Sequence, residues 1–245
     1  MPKEVLFIAD DFGLNSEVNA AIISAHLKGA LHGAALMMGQ PGTQEAIRLA
    51  MENPTLRVGW HLHLCDSSPL TRKAWPWGKS RFLAGFLLSL PGFASITRAE
   101  FDAQWSLYQK SELPCHFVNG HHHLHVHPFV YKMIQRTFSC GFKGFVRLGM
   151  LKFFNCSIIK DLIGLGTEWF SVSRKKRAPY RLSTTLWGVD RIFCMNSKEV
   201  AAIANGLGNG LHEFIFHPRR PEMTDQDYRC LINLKREAEQ VIDEK

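Results

Sequence analysis

The stretch VLFIADDFGLNSE, residues 5–17, joins a short apolar run to two adjacent carboxylates and then to a helix start. Its first five residues are long enough for one buried strand, and Asp10 and Asp11 follow directly. Asn15 is a suitable N-cap for the helical pattern that continues to Lys28. The stretch therefore predicts a strand, a turn that carries carboxylates, and a helix.

The same alternation recurs along the chain. We predict further strands at 31–38, 57–64, 116–125, 144–148 and 211–216, and helices at 43–52, 99–112, 129–139, 199–207 and 224–243. This spacing indicates a parallel α/β sheet, either open or closed into a barrel. No linker rich in Pro, Gly or Ser divides the chain, so we expect a single domain over residues 1–245. Loop insertions are predicted at 65–98 and 149–190.

The composition is that of an ordinary globular protein, with 46% hydrophobic and 21% charged residues. It argues against a disordered, collagen-like or coiled-coil chain, and no apolar run is long enough to span a bilayer. The start of the chain lacks the features of a signal peptide, so a cytoplasmic location is expected. The six cysteines form no CxxC pair and are expected to be buried free thiols.

The net charge of +7 is concentrated in residues 141–182, which hold nine Lys or Arg against two acidic residues. The remaining residues hold 20 of each sign and carry no net charge. Because the segment is also rich in large apolar side chains, it could make a peripheral contact with an anionic membrane, such as the inner membrane surface. The alternative, which we favour, is a barrel helix and loop with a solvated basic rim. No nucleic-acid motif accompanies the charge, so no nucleic acid partner is expected.

Side chains that can bind metals gather in four clusters at or just beyond predicted strand ends. The clusters are Asp10–Asp11, His61–His63, the histidine-rich run 121–127 that follows Asn119, and Glu213–His217. On a regular strand His121, His123 and His125 would share one face, and the carboxyl ends of parallel strands meet at one edge. A helix cap, core histidines or an ion pair could explain each cluster alone. All four together favour a catalytic divalent metal site.

Motifs for other chemistries are missing from the sequence. It contains no GxSxG nucleophile elbow, no phosphate-binding GxxxxGK[ST] and no GxGxxG after a strand. A serine hydrolase, a nucleotide phosphate site and a dinucleotide site are therefore disfavoured.

Four motifs, in this order, resemble those of the YdjC-like carbohydrate deacetylase family, of the ChbG/HpnK type. They are IADDFGL (8–14), VGWHL (58–62), VNGHHHLHVHP (118–128) and EFIFHP (213–218). The third motif is most similar to the hopanoid-biosynthesis-associated HpnK branch. The chitooligosaccharide branch has Asp where this chain has Asn119, which weakens an acid role there and leaves a hydrogen-bonding role open.

The resemblance implies a deformed (β/α) TIM-like barrel and a divalent ion, Mg²⁺ or Zn²⁺. It also implies an enzyme that removes the acetyl group from an N-acetylated sugar. Carried over to this chain, the metal ligands are Asp11, His61 and His121. In the hopanoid branch the substrate is expected to be an acetylated amino sugar on a glycolipid, and soluble chitooligosaccharides are the alternative.

The remaining residues are assigned roles as hypotheses. Asp10 is our choice for the general base, and His217, oriented by Glu213 or another nearby acid, is the first candidate for the general acid. His123 and His125 are alternative acids. The candidate substrate-binding residues are His123, His125, Asn119 and Arg147. A metal-dependent phosphoesterase or other amidohydrolase, and a sugar-binding protein with a structural metal, are the rival functions, and a homodimer is a possible assembly.

Overall fold

The computed structural model describes residues 2–138, 141–148, 150–152, 180–189, 195–219 and 225–243. The strands are β1 (Lys3–Phe12), β2 (Gly33–Leu36), β3 (Arg57–Leu62), β4 (Phe117–Gly120), β5 (Phe145–Val146), β6 (Met150–Lys152), β7 (Arg181–Leu182), β8 (Thr185–Trp187) and β9 (Gly210–Phe216). The α-helices are α1 (Ser16–Leu27), α2 (Thr43–Glu52), α3 (Arg81–Leu87), α4 (Phe93–Lys110), α5 (Pro128–Thr137), α6 (Ser197–Gly206) and α7 (Gln226–Asp243). A 3-10 helix covers His121–Val126.

The described strands form one parallel sheet in the order β6-β8-β9-β1-β2-β3-β4-β5-β7. Only residues 147–149 separate β5 from β6, and only 183–184 separate β7 from β8. Because β5 pairs with β7 and β6 pairs with β8, the two ends of this order meet along neighbouring chain segments. The sheet therefore closes into a deformed barrel of parallel strands, and the predicted fold class is confirmed. That residues 1–245 form one domain stays a prediction.

The barrel interior has an apolar layer beneath a polar one. Leu6, Ile8, Ala35, Phe117, Phe145 and Leu211 form a buried cluster separate from the larger core under the helices. Gly59 makes room for this cluster, because a Cβ there would overlap the Phe117 ring. Side chains two residues apart on a strand share a face, so the next interior positions are polar. They are Asp10, His61, Asn119, Arg147 and Glu213.

One predicted strand was too long. Residues 116–125 were expected to be extended, but β4 ends at Gly120 and a 3-10 helix follows. His122 and His123 have φ values of 52° and 59°, so the backbone is left-handed where a strand would require extended geometry. The prediction that His121, His123 and His125 alternate along one strand face is therefore wrong.

The two predicted insertions differ in how far the structure covers them. Residues 65–98 are described and contain α3, whereas 153–179 lie outside the described residues. The predicted membrane contact through 141–182 falls mostly on those residues and stays a prediction. Among the described helices, none is both long and apolar enough to cross a membrane.

A single buried carboxylate anchors the start of the 65–98 insertion. Glu100 on α4 accepts hydrogen bonds from Leu70 N (2.8 Å), Thr71 N (2.9 Å) and Thr71 Oγ1 (2.8 Å). Gln104 Nε2 donates to the same carboxylate at 2.8 Å. Because buried backbone donors are costly to leave without an acceptor, the loop depends on this residue for its shape.

We expect Glu100→Ala to lower the free energy of unfolding by about 3 kcal/mol, because several buried donors lose a charged acceptor. Urea unfolding followed by circular dichroism measures the change. Glu52→Ala is the matched control: Glu52 makes an exposed pair with Arg48 at 2.7 Å, and its loss should cost less than about 1 kcal/mol. Equal effects of the two substitutions would contradict the anchoring role.

Candidate metal centre

An irregularity at the end of β1 brings two neighbouring carboxylates to one place. The pairing register of β1 with β2 shifts between Ala9 and Phe12, and Asp11 has a left-handed φ of 65°. On a regular strand adjacent side chains point to opposite faces, but the bulge turns Asp11 toward the same edge as Asp10. Both are almost fully buried, with 3% and 5% of their surface exposed.

Asp11 lies between two histidines from neighbouring elements. Its Oδ1 is 3.4 Å from Nε2 of His61 at the end of β3, and 2.9 Å from Nδ1 of His121 at the start of the 3-10 helix. The potential ligand atoms of these three residues all lie within 4.8 Å of one another. The predicted ligand set is thus brought together by the structure.

A chain of buried hydrogen bonds leads from Arg147 to His61. Arg147 Nη1 donates to Asp10 Oδ2 at 2.7 Å, and Asn119 Nδ2 donates to Asp10 Oδ1 at 3.0 Å. Asn119 Oδ1 lies 2.6 Å from His61 Nδ1. An ionised carboxylate only accepts, so the Asn119 amide nitrogen faces Asp10 and its oxygen faces His61. His61 Nδ1 must therefore carry the proton.

This tautomer leaves two acceptors facing each other. In this tautomer the Nε2 lone pair of His61 faces Asp11 Oδ1. Both atoms are buried, and neither has a hydrogen bond of good geometry. Two buried acceptors 3.4 Å apart are unfavourable unless a cation lies beside them. One carboxylate and two imidazoles form a donor set that suits a divalent metal ion, so the residues fit the expected cofactor.

The charges around the site are also suited to a cation. Burial alone would raise the pKa of Asp10, but Arg147 outweighs it and holds this pKa below its ordinary value. Burial likewise opposes ionisation of Asp11, yet the nearby His121 keeps its pKa well below the usual range. Burial disfavours protonation of His121, but Asp11 raises its pKa. The field at Asp11 therefore attracts positive charge.

Glu213 forms the second ion pair of Arg147. Its Oε2 accepts from Arg147 Nε at 3.0 Å, and both side chains are buried, with 0% and 1% exposed. Burial raises the pKa of Glu213, and Arg147 opposes this without reversing it. Arg147, predicted to bind sugar hydroxyls, pairs with these two carboxylates through Nη1 and Nε. Its geometry supports a positioning role, and a direct substrate contact stays untested.

His123 and His125 lie near Arg147 rather than on an exposed strand face. His125 is 1% exposed and its Nε2 donates to the Arg147 carbonyl oxygen at 2.8 Å. Burial lowers the pKa of His125 to about 3 and holds that of His123 well below its ordinary value. Both imidazoles are therefore neutral at physiological pH, which makes them poor proton donors. Their predicted substrate contacts stay untested.

His217 follows β9 and is half-buried. Its backbone N donates to Asp227 Oδ2 at 2.8 Å, and Asp227 Oδ1 accepts from Met195 N at 3.2 Å. Asp227 could not be recognised from the sequence, because an acid in the first turn of a helix is explained by its favourable interaction with the helix dipole. The acid that holds the His217 backbone is therefore Asp227, while Glu213 accepts a hydrogen bond from Arg147 Nε.

His63 belongs to the core rather than to this site. Its Nδ1 lies 2.8 Å from Ser67 Oγ and its Nε2 lies 2.8 Å from the Met38 carbonyl oxygen. Burial lowers its pKa to about 4, so the ring is a neutral structural group. Asp66, which the sequence analysis did not select, lies 3.4 Å from His122 at the rim of the site.

Comparison with known proteins identifies the family. A family profile described as YdjC-like protein matches residues 4–242 of this chain. The chain belongs to the YdjC-like family. The matched range extends over all the described strands, from Glu4 in β1 to Phe216 at the end of β9.

Relatives of this YdjC-like chain include two proteins named carbohydrate deacetylase. The one from Vibrio campbellii is 35% identical over 137 residues, which is 55% of each chain. The one from Brevibacillus brevis is 34% identical over 130 residues, which is 52% of each chain. The chain thus spans about half the length of the curated relatives it matches.

The fold is also similar to that of a solved structure from Enterococcus faecalis V583, provisionally described as a cellobiose-phosphate cleavage protein. The TM-score is 0.70 at 17% identity, and the match covers 98% of this chain and 95% of the other. At this identity the likeness concerns the fold alone.

We expect Asn119→Ala to lower the affinity for Zn²⁺ by about 10- to 100-fold, because His61 loses the acceptor that fixes its tautomer and orientation. Competition with a chromogenic chelator measures the affinity. Asn53→Ala is the control, since that amide donates to the Leu49 carbonyl oxygen at the end of α2. Unchanged affinity in Asn119→Ala would show that the hydrogen-bond chain does not prepare His61 for a metal.

Proposed function

We propose that this protein is a metal-dependent carbohydrate deacetylase, which hydrolyses the linear amide C–N bond of an N-acetylated amino sugar. The observation that carries the proposal is the pair of buried acceptors, Asp11 Oδ1 and His61 Nε2, with His121 beside them. The family and the names of the two relatives support the choice of an acetylated sugar as substrate.

Asp11, His61 and His121 are proposed to hold the divalent ion. When bound there, such an ion polarises the amide carbonyl and makes water more acidic. The donor set contains two imidazoles, which favours Zn²⁺ over Mg²⁺, because Mg²⁺ prefers oxygen ligands. The identity of the metal is part of this proposal.

Asp10 is proposed as the general base. Its two hydrogen bonds come from Arg147 and Asn119, and they leave lone pairs on both carboxylate oxygens. Because Arg147 holds its pKa low, Asp10 is ionised at neutral pH and able to accept a proton. It removes a proton from water as the water oxygen forms a bond to the amide carbon.

His217 is proposed to protonate the leaving nitrogen as the C–N bond breaks. The products are then acetate and a free amine, and the proton that left the water is balanced by the one given to nitrogen. His123 and His125 are weaker candidates, since burial keeps both rings neutral. The backbone N of His217 donates a hydrogen bond to Asp227, which helps to fix the position of His217.

The sugar is proposed to be the headgroup of a glycolipid, as in the hopanoid branch that the third motif resembles. The alternative substrate is a soluble N-acetylated oligosaccharide such as a chitooligosaccharide. Acetate release from Zn²⁺- or Mg²⁺-loaded protein, measured on both substrate types, tests the proposal. Acetate from either supports a deacetylase, and the one that reacts identifies the substrate class. No acetate from either, with metal bound, contradicts the proposal and favours the phosphoesterase or binding-protein readings.

The two adjacent carboxylates should respond differently to substitution. We expect Asp10→Asn to keep the metal and to lower kcat by about 10² to 10⁴, the usual loss for a general base. Asp11→Ala should instead lose bound metal, which elemental analysis of the purified protein measures. Asp102→Asn, an exposed acid on α4, is the control and should change neither property. Metal loss in Asp10→Asn, with metal kept in Asp11→Asn, would reverse the two roles.

A further inference from the structure

Residues 67–99, here called the basic insertion, carry an unbalanced charge. They contain five basic residues and no Asp or Glu, which gives a net charge of +5. The basic residues are Arg72, Lys73, Lys79, Arg81 and Arg98, and all five are exposed. The residues outside 141–182 have no net charge when they are counted together, because acids elsewhere in the sequence offset the +5 of the basic insertion.

The same insertion exposes large apolar side chains. Phe82 is 76% exposed and Phe86 is 70% exposed, and their spacing of four residues places them on one face of α3. Leu83 and Leu90 add to this surface, with 43% and 36% exposed. Of the six large hydrophobic residues that are exposed in the described chain, these four lie together. We call them the apolar patch.

The apolar patch stands on a well-packed base. Ala84 and Leu88, on the other face of this segment, are fully buried, and the Leu88 carbonyl oxygen accepts from buried Thr97 Oγ1 at 2.8 Å. Ser80 caps the helix by accepting from Leu83 N at 3.2 Å. The helix is thus held with Phe82 and Phe86 outward. An apolar patch of this kind on a solvent-exposed surface marks an interaction site.

The patch lies at the metal-centre end of the barrel. Gly85 on α3 faces the Leu124 side chain of the 3-10 helix, which begins with His121. Asp66, immediately before the basic insertion, approaches His122 at 3.4 Å. A surface bound by the patch would therefore lie at the end of the barrel that carries Asp11, His61 and His121.

We propose that the apolar patch and the basic side chains around it dock this protein on an anionic lipid bilayer. Phe82 and Phe86 enter the interface, while Lys79 and Arg81 remain at the level of the acidic headgroups. Arg81 already stands at the border, since its guanidinium carbon lies 4.8 Å from the centre of the Phe82 ring. An anionic bilayer offers an apolar region for the Phe side chains and negatively charged headgroups for the basic ones.

A second copy of the chain suits this surface less well. A two-fold contact through the patch would place one +5 insertion against another, and the one ion pair shown for its basic side chains among the described residues is Lys79 with Asp66, at 4.0 Å. The docking proposal does not depend on the deacetylase proposal, because it rests on a surface outside the metal centre. The two can therefore fail separately.

Co-sedimentation of the full chain with vesicles tests the proposal. We expect binding to phosphatidylcholine vesicles that contain phosphatidylglycerol, little binding to phosphatidylcholine alone, and weaker binding as salt increases. Phe82→Ala combined with Phe86→Ala should lower the partition coefficient at least about tenfold. Lys79→Glu combined with Arg81→Glu should lower binding to the anionic vesicles to a similar degree.

The matched control combines Leu27→Ala and Met51→Ala. These side chains are 70% and 55% exposed, but they lie at the carboxyl ends of α1 and α2, on the opposite end of the barrel. The double variant should bind vesicles as strongly as the unchanged protein does. Asp10→Asn should also bind vesicles normally. Loss of deacetylase activity and loss of vesicle binding can therefore be told apart.

Several outcomes would overturn the docking proposal. Unchanged binding after both Phe substitutions would do so, as would equal binding to neutral and anionic vesicles. So would loss of binding only when basic residues 174–177 are replaced, which would place the contact in 141–182. Sedimentation velocity that shows a dimer dissociated by the Phe substitutions, without vesicle binding, would assign the patch to self-association.

Discussion

The guanidinium of Arg147, buried inside the barrel, is the group on which the site depends. It pairs with Asp10 at 2.7 Å and with Glu213 at 3.0 Å, and thereby joins β1 to β9 across the segment that follows β5. A buried carboxylate without a partner would take up a proton or force the structure open. Removing one member of such a buried pair typically costs about 3–5 kcal/mol. Arg147 therefore allows ionised acids to remain in the interior, next to a place suited to a cation.

The barrel provides this environment through a simple layering. Apolar side chains such as Ile8 and Phe117 fill one level, and the polar residues Asp10 and Asn119 lie two residues later on the same strands. Parallel strands align these levels, so polar groups from five strand ends reach one another at the carboxyl edge. The apolar layer beneath excludes water and strengthens the hydrogen bonds above it. The polar layer is thus a consequence of one alternating pattern, whereas Asp11 and His121 reach the site through the irregular end of β1 and the 3-10 helix.

Much of this could be predicted from the sequence, because regular strands and helices follow local patterns. Helix 43–52 matches α2 residue by residue, and four separated motifs indicated which side chains would gather at one edge. The end of β4 could not be predicted, since His is enriched in left-handed backbone but is far more often found at negative φ, so residue type alone did not reveal the turn at His122 and His123. The partners of Arg147 and Asp227 were also out of reach, because their contacts join residues far apart in the chain. The exposure of Phe82 and Phe86 could not be predicted either, because an apolar residue in a short helix is usually part of the core.

The central claim is that Arg147, Asp10 and Asn119 hold His61 as the Nδ1–H tautomer, with its Nε2 lone pair turned toward Asp11. Nitrogen NMR of the metal-free protein with labelled histidine reports which ring nitrogen carries the proton. The account predicts that the proton of the His61 ring lies on Nδ1, and that Zn²⁺ then shifts the Nε2 resonance. A proton on Nε2 before metal is added, or a Zn²⁺-induced shift confined to Nδ1, would contradict it.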